Sequence, residues 1–347
     1  MMQPYFILDE NAQYYECGFS CDNAIVVRVE DTRFFITDSR YTLEAKQFCN
    51  KHTEVIDSND FIQSLLGIVS RLSLKQIIFN PQELNVAMYE KILSSLSAIK
   101  CELISKPNFH QQLRICKSEK EITLIAISQK LNKKAFKAFA KYVAKILKQT
   151  PNEKELYYQA KQILSNFGRY DLSFDPIVGI NENGAKPHAL PSTKCILKKN
   201  DILLFDAGVK YKRYCSDMTR TAAVGKDIHF GKEQKFKNKL HSKIYDIVLK
   251  AQEKAISKAR SGMSGKEIDA LARAEIEKSG YGKYFVHSTG HGVGLDIHEL
   301  PRISRLSEDR IEDNMVFSIE PGIYLPNEFG VRIEDLVVMK NGRAEIL

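Results

Sequence analysis

The sequence has no apolar run near the ~18 residues a membrane span requires, so an integral membrane protein is not expected. It has no Cys-x-x-Cys pair. Its seven cysteines, at 17, 21, 49, 101, 116, 195 and 215, are odd in number and scattered. A disulfide framework and a zinc ribbon are thereby excluded, and a reducing cytoplasm is the expected compartment. The opening residues Met1 to Tyr5 carry no basic segment leading into an apolar stretch, so no secretory signal is expected. Internal repeats and low-complexity segments are missing as well. So are a Gly-rich phosphate loop, zinc-finger spacing and an RNP-like aromatic motif, which argues against a nucleic-acid partner. The net charge of +8 does not reverse that conclusion, because much of the excess lies between Lys117 and Lys154. There lysines alternate with apolar residues, the pattern of a solvated helix face.

What is present is ordinary globular material: 44% hydrophobic and 27% charged residues over 347 positions, enough for about two domains. The first ~110 residues alternate short strands and helices, which suggests a small α/β domain. Ile25 to Val29 and Phe34 to Thr37 flank a polar turn at Glu30-Asp31-Thr32-Arg33, a hairpin pattern. Phe61 to Leu72 and Leu84 to Leu96 read as helices, and Ile77 to Phe79 as a buried strand. A boundary near Pro107 to Leu113 divides the chain into domains of residues 1–113 and 114–347. Beyond it, Ser118-Glu119-Lys120-Glu121 is a capping box opening a helix with Phe136, Phe139, Val143 and Leu147 on one face. Thr150-Pro151-Asn152-Glu153 opens the next, with Pro at the first helical position and Gly168 as its stop. Ser264 to Glu267 is a further capping box, with Gly280 as the matching stop. Ile202 to Val209, Cys215 to Val224, Met315 to Glu320 and Val331 to Met339 are strand-like, so the second domain reads as α+β.

Chemistry concentrates at the ends of those strands. Asp206 follows the apolar run Ile202 to Phe205, where a carboxylate is costly to bury without a partner. A turn at Tyr211-Lys212 would set Asp217 directly opposite it, about 5 Å away at Cβ. Two like charges at that spacing repel unless a cation sits between them. Glu320 ends another apolar strand just before Pro321-Gly322. Glu334 shares a strand face with Arg332.

The strongest local signal is His287-Ser-Thr-Gly-His291-Gly-Val-Gly-Leu-Asp-Ile-His298-Glu299. Three of the eight histidines fall within 12 residues, where about 0.3 would be expected by chance. Glycines at 290, 292 and 294 exclude a helical His-Glu-x-x-His zinc site and allow close backbone approach. His188, in Lys186-Pro-His-Ala, is a fourth candidate. Asp206, Asp217, Glu320 and Glu334 supply four negative charges, which two divalent cations would balance, and His291 adds a neutral nitrogen. Oxygen-rich ligation with one imidazole suits manganese, cobalt, iron or zinc better than copper. Two such ions could share a bridging water and lower its pKa toward neutrality. The other histidines could donate hydrogen bonds to a developing oxyanion.

These motifs resemble the pita-bread-fold metallopeptidases, which include methionine aminopeptidase, Xaa-Pro aminopeptidase and Xaa-Pro dipeptidase (prolidase). The resemblance rests on Asp206-Ala-Gly, Asp217-Met-Thr-Arg, His287 through Glu299, Glu320-Pro-Gly and Gly330 through Asp335, in the family's order and spacing. It implies that Asp206, Asp217, His291, Glu320 and Glu334 bind two metals, most simply manganese, and that Glu320 also relays a proton. It makes His188, His287 and His298 substrate-contacting or oxyanion-stabilising. Arg332 becomes a residue supporting the metal ligands or substrate. An intact ligand set argues against a non-catalytic peptide-binding relative. The first domain is similar to the creatinase/prolidase N-terminal domain, most clearly at Thr37-Asp-Ser-Arg-Tyr41 and Ala45. Methionine aminopeptidases lack that domain, and creatinases do not keep the five ligands. The resemblance therefore points to the proline-specific branch, acting through a hydroxide that bridges the metals, in a homodimer. Arg302, four residues after His298, is suited to hold the free proline carboxylate of a dipeptide, which favours a dipeptidase over an aminopeptidase of longer peptides.

Overall fold

The computed structural model describes residues 3–347; Met1 and Met2, where the opening segment examined for a secretory signal begins, lie outside the described residues. The chain divides between Arg114 and Ile115 into two compact units.

The first unit is built on a six-stranded mixed sheet. Its order is Thr53–Asp57, Thr32–Thr37, Ala24–Val29, Tyr5–Ile7, Gln76–Phe79, Glu102–Ser105. Both faces are covered, so successive side chains feed two cores. Phe6, Ile25, Val27, Phe34 and Ile36 pack under helices Phe61–Arg71 and Val86–Ala98 through Leu65, Ile68, Ile92 and Leu96. Tyr5, Ile7, Val26 and Phe35 face Ala12 and Cys17 of helix Glu10–Cys17 and Ala45 of helix Thr42–Phe48. Val29 pairs with Thr32, so the hairpin turn is Glu30-Asp31 alone, tighter than the four residues expected, and Glu30 takes φ 52 to close it. Glu16 is buried, and its carboxylate meets Arg28 and Arg33, each at 3.0 Å, together with the Tyr5 hydroxyl.

The second unit is α+β. Helices Glu119–Ile146 and Glu153–Leu164 lie over the antiparallel sheet of Ile177–Ile180, Ile202–Ala207 and Met218–Ala223. Phe136, Phe139, Leu156, Val178 and Phe205 form the core between them. Helices Lys239–Lys258 and Gly265–Lys278 cover a five-stranded sheet ordered Glu299–Ile303, Gly290–Gly292, Val316–Ile319, Asp335–Lys340, Arg343–Ile346. Ile244, Val248, Ile268, Phe317 and Val337 fill that second core. Ser118 with Glu121 and Ser264 with Glu267 form reciprocal capping boxes. The helix from Glu153 is capped by Asn152 with Glu155, which places Pro151 one residue before the cap rather than inside the first turn. That helix ends at Leu164, so Gly168, at φ 91, closes the following turn instead of the helix.

Candidate metal centre and active site

Asp206 is the penultimate residue of its strand, and Asp217 immediately precedes Met218–Ala223. The two are not directly opposed: the register pairs Asp206 with Thr219. The expected turn at Tyr211-Lys212 falls instead at Lys212-Arg213, whose φ angles of 47° and 72° make a tight two-residue turn with Tyr211 opposite Tyr214. Asp217 therefore enters from just beyond the paired residues. The long helix holds the backbone at Asp217 and just after Asp206. Gln129 donates to the Asp217 carbonyl at 3.0 Å, Asn132 to that of Ala207 at 2.6 Å and Ser128 to that of Val209 at 2.6 Å.

His291 comes from the short strand Gly290–Gly292, where a Cβ on Gly290 would fall 1.9 Å from the Ser318 carbonyl. Only glycine lets these strands come so close. His291 Nδ1 lies 3.1 Å from the Gly292 carbonyl and donates to it, which turns Nε2 toward Glu320 Oε1 at 3.2 Å and Asp217 Oδ2 at 3.7 Å. Ser318 donates to Glu320 at 3.1 Å, and Thr219 donates to Glu334 Oε2 at 2.7 Å. Arg332, buried, reaches Asp206 Oδ2 at 2.7 Å, the Thr219 hydroxyl at 3.0 Å and the Tyr324 hydroxyl at 2.7 Å.

One arginine cannot satisfy four carboxylates. Asp206 Oδ1, Asp217 Oδ1 and Glu334 Oε1 are buried with no hydrogen-bond partner. Orphaned carboxylate oxygens of this kind are among the costliest groups to bury. Burial, together with the neighbouring carboxylates, pushes the Asp217 and Glu334 carboxyls well above their usual range, and burial raises that of Asp206. Burial would raise Glu320 too, but its hydrogen bond to His291 and the nearby positive groups bring it to about 2. Ligand atoms of Asp217, His291 and Glu334 lie within 4.8 Å of one another, a group able to hold a metal ion. Asp206 and Glu320 line the same cavity. A divalent cation fits this donor set, since it would supply the partner that the three orphaned oxygens lack.

The cavity has a volume of about 780 Å³, and His188, His287, His298, Arg302 and Arg332 also line it. All ten residues singled out in the sequence thus come together around it. The His298 ring lies 4.2 Å from that of His291, and burial lowers its pKa, leaving a neutral imidazole. His287 has both nitrogens engaged: Nδ1 with the Ser288 carbonyl at 2.7 Å, Nε2 with the Tyr324 hydroxyl at 2.8 Å. Arg302 is exposed, opposite His291 in the strand register, with its backbone N–H on Asp309 at 2.8 Å.

Buried ionic groups hold the loops. Glu153 accepts from the Ile180 and Ser192 backbones and from Asn183, bracing the segment that carries His188. Asp269 accepts from the Thr289 backbone and hydroxyl, while Arg273 bonds Asp269 and the His287 carbonyl. Lys117 Nζ meets Glu299 at 2.8 Å with both side chains 1% exposed, and Glu299 in turn accepts from the Asp296 N–H. Tyr324 and Lys117 are parts of the site that reading along the sequence does not find, while Thr219 and Glu299 lie inside its motifs without a role assigned to them there. Tyr324 stands four residues after Glu320, and no local pattern marks it.

Residues 123–341 match metallopeptidase family M24, and residues 3–116 match the creatinase/prolidase N-terminal domain. The chain belongs to metallopeptidase family M24. This M24 peptidase is 34% identical to the Xaa-Pro dipeptidase of Pyrococcus horikoshii over 338 residues, covering 95% of this chain and 88% of that protein. The solved X-Pro aminopeptidase of Thermotoga maritima superposes with a TM-score of 0.84 at 32% identity, covering 99% of this chain and 95% of that one. The Xaa-Pro dipeptidase of Bacillus anthracis gives 0.88 at 30% identity, covering 99% and 92%. The second unit accordingly has the family's pita-bread fold, preceded by a creatinase-type N-terminal domain. As an M24 metallopeptidase the protein uses divalent metal, and the group of Asp217, His291 and Glu334 is a possible place for it.

Proposed function

We propose that this M24 peptidase hydrolyses the bond between an N-terminal residue and proline, with Xaa-Pro dipeptides as its first substrates. The observation that carries the reading is the set of three orphaned, buried carboxylate oxygens beside His291, in a cavity also lined by His188, His298 and Arg302. Asp206, Asp217, His291, Glu320 and Glu334 would hold two divalent ions, whose four charges balance the four carboxylates; manganese is the first candidate, with cobalt, zinc and iron next. Bound there, the ions would polarise the scissile carbonyl and acidify a water.

The remaining work falls to the chain's own groups. Glu320, 3.2 Å from His291 Nε2 and lining the cavity, is placed to accept a proton from water. It then passes that proton to the proline nitrogen as the C–N bond breaks. As in any amide hydrolysis, the leaving nitrogen needs that proton to depart as an amine, here the secondary amine of proline. His298, lining the cavity, donates to the carbonyl oxygen as charge develops, with His188 as a second donor. His287, whose nitrogens are engaged, serves as a fixed wall oriented by Tyr324 and Arg332. Arg302 binds the proline carboxylate in bidentate fashion. The seven free cysteines suit a cytoplasmic setting, and the family resemblance supports a homodimer.

Hydrolysis of Ala-Pro by manganese-loaded protein, with a chelated control, tests the reading; metal-dependent release of proline is expected, and no cleavage with any of the four metals would overturn it. Arg302→Ala should raise KM for Ala-Pro by about tenfold or more, with kcat much less affected. An unchanged KM would remove Arg302 from the substrate site.

A further inference from the structure

A second cavity, of about 610 Å³, adjoins the first and shares His287, Ser288 and Ser304 with it. The electrostatic character changes across that shared wall. The first cavity is lined by Asp175, Asp206, Asp217, Glu320 and Glu334. The second is lined by Arg273, Lys283 and Arg305, and among the described residues no carboxylate lines it. Arg273 is already committed: it pairs with Asp269 and donates to the carbonyls of Phe285 and His287. Lys283 and Arg305 are exposed. The Lys283 ammonium lies 4.9 Å from the centre of the Tyr284 ring, and Arg305 meets the exposed Glu277 at 3.2 Å. An exposed ion pair of that kind is worth little and can yield to another carboxylate.

With the ions bound the four ligand carboxylates are balanced, so what sets the second cavity apart is its own positive charge, and a peptide offers the matching group in its C-terminal carboxylate. We infer that the second cavity is a cationic subsite for the C-terminal carboxylate of peptides extending one or two residues past the proline, with Lys283 and Arg305 as its charges. The inference rests on the reading that the first cavity cleaves before proline. A dipeptide ends at Arg302. A longer chain passes Ser304, two residues further along, and enters the second cavity beside His287. The apolar side chains of Phe285, Val286 and Leu306 in the lining give the added residues a surface to cover. The enzyme thereby handles tripeptides and tetrapeptides through contacts that a dipeptide never makes.

Steady-state kinetics on Ala-Pro, Ala-Pro-Ala, Ala-Pro-Ala-Ala and the C-terminal amide Ala-Pro-Ala-NH2 test this, using the metal-loaded full chain. The double variant Lys283→Ala/Arg305→Ala changes two exposed side chains. It should raise KM for Ala-Pro-Ala and Ala-Pro-Ala-Ala by about fivefold, with kcat unchanged and Ala-Pro and the amide within about twofold of wild type. Lys283→Glu should enlarge the same discrimination. An equal effect on acid and amide, or none on either, overturns the subsite. Wild-type protein that cleaves Ala-Pro but neither longer acid also overturns it, while leaving the active-site reading intact. Failure to cleave any of the four would instead fell the reading of the first cavity, and the subsite with it.

Discussion

Each unit buries a cluster of charge around one site, and the two clusters are resolved in opposite ways. In the first, Glu16 is enclosed by Arg28, Arg33 and Tyr5, and among the described residues of that unit no buried side-chain polar atom lacks a partner. In the second, Asp206, Asp217 and Glu334 each keep a buried oxygen with nothing to bond. Both arrangements cost desolvation, but only the first recovers it from within the chain. The contrast separates a charge cluster that belongs to the architecture from one that belongs to a ligand.

The comparison can be broken most forcefully at the ligand set. Asp217→Ala or His291→Ala should lose bound metal, measured by elemental analysis, and lower kcat/KM by at least about a thousandfold. Full metal content with full turnover would erase the distinction between the units. The next effect lies in the first unit. Glu16→Gln leaves Arg28 and Arg33 without their carboxylate and should cost about 3 kcal/mol, read by hydrogen exchange of the Tyr5–Ile7 strand. Neutralising a carboxylate in the second unit should do the reverse. Asp217→Asn removes a repelled charge, so the chelated variant should melt about 2–4 °C above chelated wild type, although it no longer binds metal. A lower melting point would mean that Asp217 is compensated after all.

The smallest effect concerns Glu83, paired with His110 at 3.1 Å. Burial tends to raise its carboxyl, yet hydrogen bonds from His110 and the Leu8 and Asn80 nitrogens bring it below the usual value. A carboxyl depressed by folding contributes stability above its unfolded pKa and loses it as the pH falls through the folded one. Glu83→Gln should thus lower stability by about 1 kcal/mol at pH 7 and converge with wild type in strong acid. A difference that persists there would assign the loss to packing.

Much of this was legible along the chain, because the informative residues are local. The histidine segment, the strand-end acids and the capping boxes at Ser118 and Ser264 each declare themselves within a dozen residues. The aspartate register was misplaced because Lys212-Arg213 adopts positive φ without the Asn-Gly pair that usually marks such turns. Helix Lys239–Lys258 escaped notice because its buried face mixes Ala251, Gln252 and Ala255 with larger residues, which blurs the periodicity. Tyr324 beneath His287 and Lys117 beneath Glu299 are contacts between distant segments, and no spacing rule reaches across them.

The three polar side chains of the long helix, Ser128, Gln129 and Asn132, grip carbonyls at Val209, Asp217 and Ala207. Their grip depends on rotational phase. One residue inserted between Gln129 and Asn132 would turn Asn132 by about 100° relative to the other two, so that the three carbonyls could no longer be held at once. Descendants of this chain should accordingly almost never vary in length between Ser128 and Asn132. The helix acts as a ruler, and its count of residues is as much a part of the site as any ligand.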